Sequence, residues 1–190
     1  MKFFLLIFFG SILFWSCSLN NTNPTNTYNA AYHDSIDAKV IDTFIQHHPV
    51  LAGITLNKIV KSSTGLRYQI ISDSVNAVKP TNYSNVTFSY SIRIPGVAGT
   101  KGLIDTVPSS LSNAGYNVNP LGNTISGISE GLQYIHKGGH ILLFIPSSLG
   151  FKDQSVNYSY LQGNQTTIVY TVPPNSVLIY NITLTQVLAY

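Results

Sequence analysis

The spacing of apolar residues changes period once along this chain, and that change limits the fold class. Ile36, Val40, Ile41, Phe44 and Ile45 recur at the spacing of one helix face. Asp34 or Ser35 is placed to cap that helix, and Pro49 ends it just after His47 and His48. From Leu66 onward the period is that of strands. Leu66, Tyr68 and Ile70 alternate with polar residues, as do Val86, Phe88, Tyr90, Ile92 and Ile94. A loop-rich stretch, 95–123, separates these strands from a predicted short helix over Ser126–His136, ended by Lys137-Gly138-Gly139. Ile141 to Ile145 is a continuous apolar run stopped by Pro146, the pattern of a buried strand. After a tyrosine-rich excursion, 152–171, the residues Val177, Ile179, Ile182 and Leu184 mark a final strand. The sequence therefore predicts an α+β domain of mostly antiparallel strands, with one helix early and a short one late.

The N-terminus reads differently. Lys2 precedes an apolar run from Phe3 to Trp15, thirteen residues, whereas a membrane-spanning helix needs about 20. That length suits the apolar part of a secretory signal. Ser16 and Cys17 follow, and a small residue before the only cysteine resembles the lipobox of bacterial lipoproteins. On this reading Cys17 is the lipidation site and the protein reaches the membrane through a lipid anchor. The alternative is an ordinary signal peptide in which Cys17 plays no part. With no second cysteine, the domain has no disulfide to lean on and must stand on its core. The expected organisation is a signal peptide over 1–16, an acylated cysteine and Asn/Thr-rich tether over 17–33, a helical segment over 34–63 and the main domain over 64–190.

Several function classes find no support. Only 9% of residues are charged and the net charge is +3, without a basic stripe, so nucleic acid is not an expected partner. His47 and His48 occupy consecutive helix positions that do not face one another, and no third ligand accompanies them, so no metal site is expected. Their place suits the negative end of a helix dipole. Ser147 and Ser148 lack the surrounding pattern of a hydrolase nucleophile. Glu130 has no second carboxylate at useful spacing, and its position near a helix start suggests capping or dipole stabilisation.

The order of blocks in the second half is more informative. Ile125-Ser126-Gly127-Ile128-Ser129-Glu130-Gly131-Leu132 resembles the segment that enters the central helix of FKBP-type peptidyl-prolyl isomerases. Lys137-Gly138-Gly139-His140 and Ile145-Pro146-Ser147-Ser148-Leu149-Gly150-Phe151 resemble the passage that follows it. Val172-Pro173-Pro174-Asn175-Ser176 is similar to the family's penultimate block. Val86-Thr87-Phe88-Ser89-Tyr90 and Gly102-Leu103-Ile104-Asp105-Thr106 are similar to its early strand and loop. The helix before them and Thr64-Gly65-Leu66-Arg67-Tyr68 resemble FKBP-like lipoproteins of the Bacteroidetes type.

The resemblance implies an FKBP-like antiparallel sheet wrapped around a short helix, with an additional N-terminal helix. It implies peptidyl-prolyl cis-trans isomerisation, without cofactor, of proline-containing polypeptide clients in the cell envelope, from an outer membrane facing the periplasm. By position it implies catalytic roles for Tyr90, Asp105 and Phe151, with Tyr90 bonding Asp105. Ile104, Thr124, Ile125, Ile128, Val172 and Tyr180 would bind substrate. The chain departs from the family at three of these positions. Ile128 replaces a tryptophan floor, Phe151 a tyrosine hydroxyl and Ile104 a phenylalanine, which implies weakened catalysis. A non-catalytic binding module or chaperone lipoprotein is the alternative. Tyr158, Tyr160 and Tyr170 of the excursion are placed to cover or reshape the cleft.

Overall fold

A computed structural model of the chain describes residues 27–95, 116–118, 121–162 and 166–188. Helix α1 (Ala30–His47) is followed by a small hairpin, β1 (Val50–Leu51) and β2 (Ile54–Thr55), then by β3 (Val60–Lys61), β4 (Arg67–Ser72) and β5 (Asn85–Arg93). Next come β6 (Tyr116–Val118), helix α2 (Ser126–Leu132), β7 (His140–Ile145), β8 (Val156–Gln162), β9 (Thr166–Val172) and β10 (Leu178–Leu188). Six strands form one sheet in the order β3-β4-β7-β10-β5-β6, and all its pairings are antiparallel. Strands β8 and β9 pair only with each other, so the tyrosine-rich excursion is a two-stranded ribbon. The architecture is the α+β one expected.

The side-chain period of two explains both the alternating strands and the unbroken apolar one. Along β5, Val86, Phe88, Tyr90 and Ile92 are buried while their neighbours are not. Strand β7 lies deeper, and both its faces are covered. Ile141, Leu143 and Ile145 join the cluster beneath α2, with Leu132, Leu178, Tyr180 and Ile182. Leu142 and Phe144 point the other way, into a second cluster with Ile41, Phe44, Leu51, Val177 and Ile179. Each fully buried aliphatic or Phe side chain contributes about 1.5–3 kcal/mol relative to exposure.

Helix α1 starts earlier than its apolar pattern. Asn29 caps it, its side chain accepting from the Tyr32 backbone N–H at 3.1 Å. The helix thus begins inside the stretch expected to be tether, and the proposed caps Asp34 and Ser35 lie within it. His47 and His48 each bond a helix carbonyl through Nδ1, to Thr43 and Phe44. The sheet also begins before residue 64, because β3 pairs with β4. Gln69, 5% exposed, ties β4 to the small hairpin: its amide donates to the Thr55 carbonyl and its oxygen accepts from the Lys58 N–H.

Helix α2 ends at Leu132, short of the predicted His136. Two glycines let it lie close to the sheet. A Cβ on Gly127 would stand 2.4 Å from the Ile145 side chain, and one on Gly131 would stand 2.5 Å from that of Leu143. Glu130 is not a cap. Its carboxylate accepts from Thr64 Oγ1 at 2.6 Å and from the Tyr134 hydroxyl at 2.8 Å. Burial, then the Glu130 carboxylate, push that phenol up to about 12. Beyond α2, His136 is held by Asp73, which pairs with both its backbone N–H and its ring Nδ1.

Candidate active site

Three aromatic residues of the sheet, Phe88, Tyr90 and Tyr180, gather beside the start of α2. A cavity of about 190 Å³ opens there, lined by Phe88, Tyr90, Thr124, Ile125, Ile128, Phe151, Tyr158 and Tyr180. Alternation on β5 aims Phe88 and Tyr90 inward, their ring centroids 5.8 Å apart. Tyr180 comes from β10, which pairs with β5, and its ring lies 5.5 Å from that of Tyr90. Thr124 and Ile125 belong to the turn leading into α2, and Ile128, 6% exposed, to its first turn. The Thr124 hydroxyl donates to the Leu121 carbonyl at 2.8 Å, which fixes this edge. Phe151 follows the 3-10 turn Ser147–Leu149 beyond β7.

The ribbon completes the enclosure. Tyr158 on β8 packs edge-on to Phe151, with centroids 6.4 Å apart, and its hydroxyl bonds that of Tyr180 at 3.1 Å. All eight lining residues are uncharged. Such a site suits a small apolar group beside a polar one that hydroxyls can reach, and it is smaller than the roughly 300–1,000 Å³ of drug-sized sites. Among the described residues that line it, none is a carboxylate or a histidine. Among the described residues no group of three or more His, Cys, Asp or Glu is placed to hold a metal ion.

Of the residues singled out in the sequence, Tyr90, Thr124, Ile125, Ile128, Phe151 and Tyr180 meet around this cavity. Val172 does not line it. At 1% exposed, Val172 packs within the core cluster, where its strand joins the run to β10. Ile104, Asp105 and Cys17 lie outside the described residues, as do the side chains of Tyr160 and Tyr170. Phe88 was not anticipated as a lining residue. The inward phase it shares with Tyr90 was the available signal.

Comparison with known proteins agrees with this geometry. The family model of FKBP-type peptidyl-prolyl cis-trans isomerases matches residues 77–185. The chain is 28% identical over 126 residues to a probable FKBP-type peptidyl-prolyl cis-trans isomerase, FkpA, of Neisseria meningitidis serogroup B, covering 66% of this chain and 39% of that protein. It is 37% identical over 67 residues to the FKBP-type isomerase FkpA of Buchnera aphidicola, covering 35% of this chain and 21% of that one. The chain therefore spans well under half the length of these curated relatives. The crystal structure of FkpA from Escherichia coli superposes with a TM-score of 0.53 at 23% identity, covering 83% of this chain and 63% of the other. At that identity the likeness speaks for the fold.

Proposed function

Since the chain belongs to the family of FKBP-type peptidyl-prolyl cis-trans isomerases, we propose that its domain accelerates rotation about Xaa-Pro bonds in exported polypeptides, more weakly than the family pattern would allow. The uncharged aromatic pocket carries this reading. Amide resonance sets a barrier of about 18–20 kcal/mol, and the twisted transition state has lost much of that resonance and its charge separation. A planar amide loses more hydration on entering an apolar cleft than a twisted one does. Burial therefore favours the transition state over the ground state, which is what catalysis requires. Phe88, Ile128 and Phe151 would grip the proline ring, while Tyr90, Tyr158 and Tyr180, each with a hydroxyl, line the same cavity. Asp105 would assist by the role its position in the family implies.

The test is the cis-to-trans rate of Xaa-Pro peptides with the full chain in detergent, beside an Asp105→Ala variant. Acceleration that weakens in the variant is the expected outcome. A folded protein that accelerates no peptide would sink the catalytic reading. Ile128 and Phe151, standing where the family carries tryptophan and tyrosine, favour a second reading, a binding module that holds proline segments without turning them. Peptide binding without acceleration is its signature.

The same proposal extends to location. Acylation of Cys17 at an outer membrane, facing the periplasm, would leave residues 18–27 as the link to Tyr28. Mass spectrometry of the N-terminal peptide tests it, and a Cys17→Ser protein that stays with the membrane fraction would refute it. Among the described residues, no helix is long and apolar enough to cross a membrane.

A further inference from the structure

Helix α1 lies across the sheet from the pocket and precedes the residues matched to the family, yet its first turns grip the segment that carries Phe151. Asp37 is 3% exposed, so its carboxylate needs hydrogen bonds to be tolerable there. Its Oδ2 accepts from the Ser147 backbone N–H at 2.7 Å and from Ser147 Oγ–H at 2.6 Å. With its own hydroxyl hydrogen directed at Asp37, Ser147 Oγ accepts from the Tyr28 hydroxyl at 2.8 Å. Burial pushes Tyr28 above its ordinary value, with Asp37 and Asp34 adding to the rise against the Ser147 bond, so the phenol keeps its proton. One turn along the helix face, Asp34 accepts from Ser148 Oγ.

From Ser147 the bonds run on to the pocket. The Ser147 carbonyl accepts from the N–H groups of Gly150 and Lys152, at 3.1 and 2.9 Å, and these are the two neighbours of Phe151. The Lys152 carbonyl in turn accepts from the Asn175 N–H at 2.6 Å, ahead of β10. The position of the Phe151 ring is thus set relative to Ser147, and that of Ser147 relative to Asp37. Attachment of α1 does not itself call for a carboxylate. Ile41 and Phe44 already pack it on Leu142, Phe144, Val177 and Ile179, and an apolar side chain of similar volume often stabilises as well as a buried charge. What the carboxylate adds is a fixed location for one turn.

We propose that Asp37 is a positioning residue for the pocket, holding the turn 147–152 and thereby the Phe151 wall from the opposite face of the sheet. Helix α1 then belongs to the proline-binding unit. This rests on the pocket being a proline site, and it goes beyond that reading by giving the helix outside the family match a part in it.

The experiment compares the full-length chain in detergent with Asp37→Ala and Asp37→Asn. It reads peptide KM and kcat, peptide affinity by titration calorimetry, and amide hydrogen exchange. A wall that touches the proline ring in ground and transition states alike contributes uniform binding. In Asp37→Ala, KM and the dissociation constant should therefore rise about tenfold with kcat within about twofold, the scale on which modest misplacement acts. Exchange at Ser147, Gly150 and Lys152 should quicken while Leu142 to Phe144 stay protected. Both bonds converge on one oxygen, so an amide carbonyl can take its place, and Asp37→Asn should restore affinity to within about threefold. If Asp37→Ala does not fold, Ser147→Ala carries the test. It keeps the backbone bond, removes the hydroxyl links and should weaken affinity about threefold. Unchanged affinity in folded Asp37→Ala, or in Ser147→Ala where that variant carries the test, or exchange quickened evenly across the sheet, would overturn the proposal. If the wild type accelerates no peptide, the isomerase reading falls alone, and affinity with exchange at Lys152 still decides the role of Asp37.

Discussion

Two neighbouring residues of β7, Leu143 and Phe144, face opposite ways and meet two different kinds of interior. Phe144 enters an apolar seam, where Phe44 lies with its ring centroid 6.3 Å away and the other buried members are aliphatic. Leu143 enters a cluster that includes tyrosines and, toward one end of α2, gives way to a cavity. The helix on the Phe144 side is eighteen residues long, and that on the Leu143 side is seven. The long helix, with Leu51 of the small hairpin, packs an apolar cluster onto its face. The short helix, brought close by two glycines, leaves enough sheet bare for a pocket. Support and site are thus divided between the two sides of a single sheet, and the Asp37 clamp is where they meet.

The most severe way to probe that division is Phe144→Ala. It should cost about 3–5 kcal/mol in urea unfolding yet leave peptide KM unchanged in the folded fraction. A raised KM would mean that the faces communicate through the seam as well as through Asp37. Next in size is Gly131→Ala, which drives a Cβ into Leu143 and should cost about 1–3 kcal/mol by overpacking, read as a lowered Tm. If α2 moves outward to accommodate it, Ile128 moves too and KM rises, an effect the opposite face should never produce.

A gain of function sharpens the contrast further. Phe151→Tyr places a donor on the pocket rim, and one hydrogen bond worth about 0.5–1.5 kcal/mol should raise kcat/KM roughly two- to tenfold. No change would mean that the Phe151 ring edge does not face the substrate carbonyl.

The smallest effects lie in the acid limb. Burial pushes Asp73 up, but hydrogen bonds from the backbone and ring of His136 and from the Ser74 N–H outweigh it and hold the carboxyl below its ordinary range. A folded value below the unfolded one, about 3.9, means stability that is present above that pH and lost as pH falls through the folded value. Asp73→Asn should therefore flatten the acid side of a stability–pH curve and leave the neutral side parallel. On the α1 side, the hydrogen bond and charge of Arg67 likewise lower Asp42, but the Asp42 side chain is 67% exposed. Such pairs contribute about 0.2–1 kcal/mol and are screened by salt, so Asp42→Asn should flatten the curve less.

What could be read from the sequence followed from local spacing. The alternation of Val86, Phe88, Tyr90 and Ile92 located a half-buried strand and its inward phase, and the text around Gly127 and Gly131 located the central helix. The apolar run Ile141–Ile145 announced burial on both faces without naming the two covers. The start of α1 was missed because residues 30–35 offer little apolar periodicity, so an asparagine cap outside the pattern decided it. Val172 was assigned to the pocket by position, yet packing put it in the core. The Asp37–Ser147 bonds join residues 110 apart, and pairs that distant leave no mark in local composition.

Strand order carries a further consequence. The last strand described, β10, sits between β7 and β5 and bonds to both. A chain that emerges N-terminus first, from a ribosome or through a membrane pore, cannot join its two half-sheets until residues 178–188 have appeared. Until then β5 and β7 expose unpaired edges and apolar faces, and the long-range closure that pairs Ile179 with Arg93 remains to be made. Docking of β10 is then one late event that creates the sheet, both cores and the pocket together. The order of synthesis is thereby converted into a delay in folding that lasts until residues 178–188 are available.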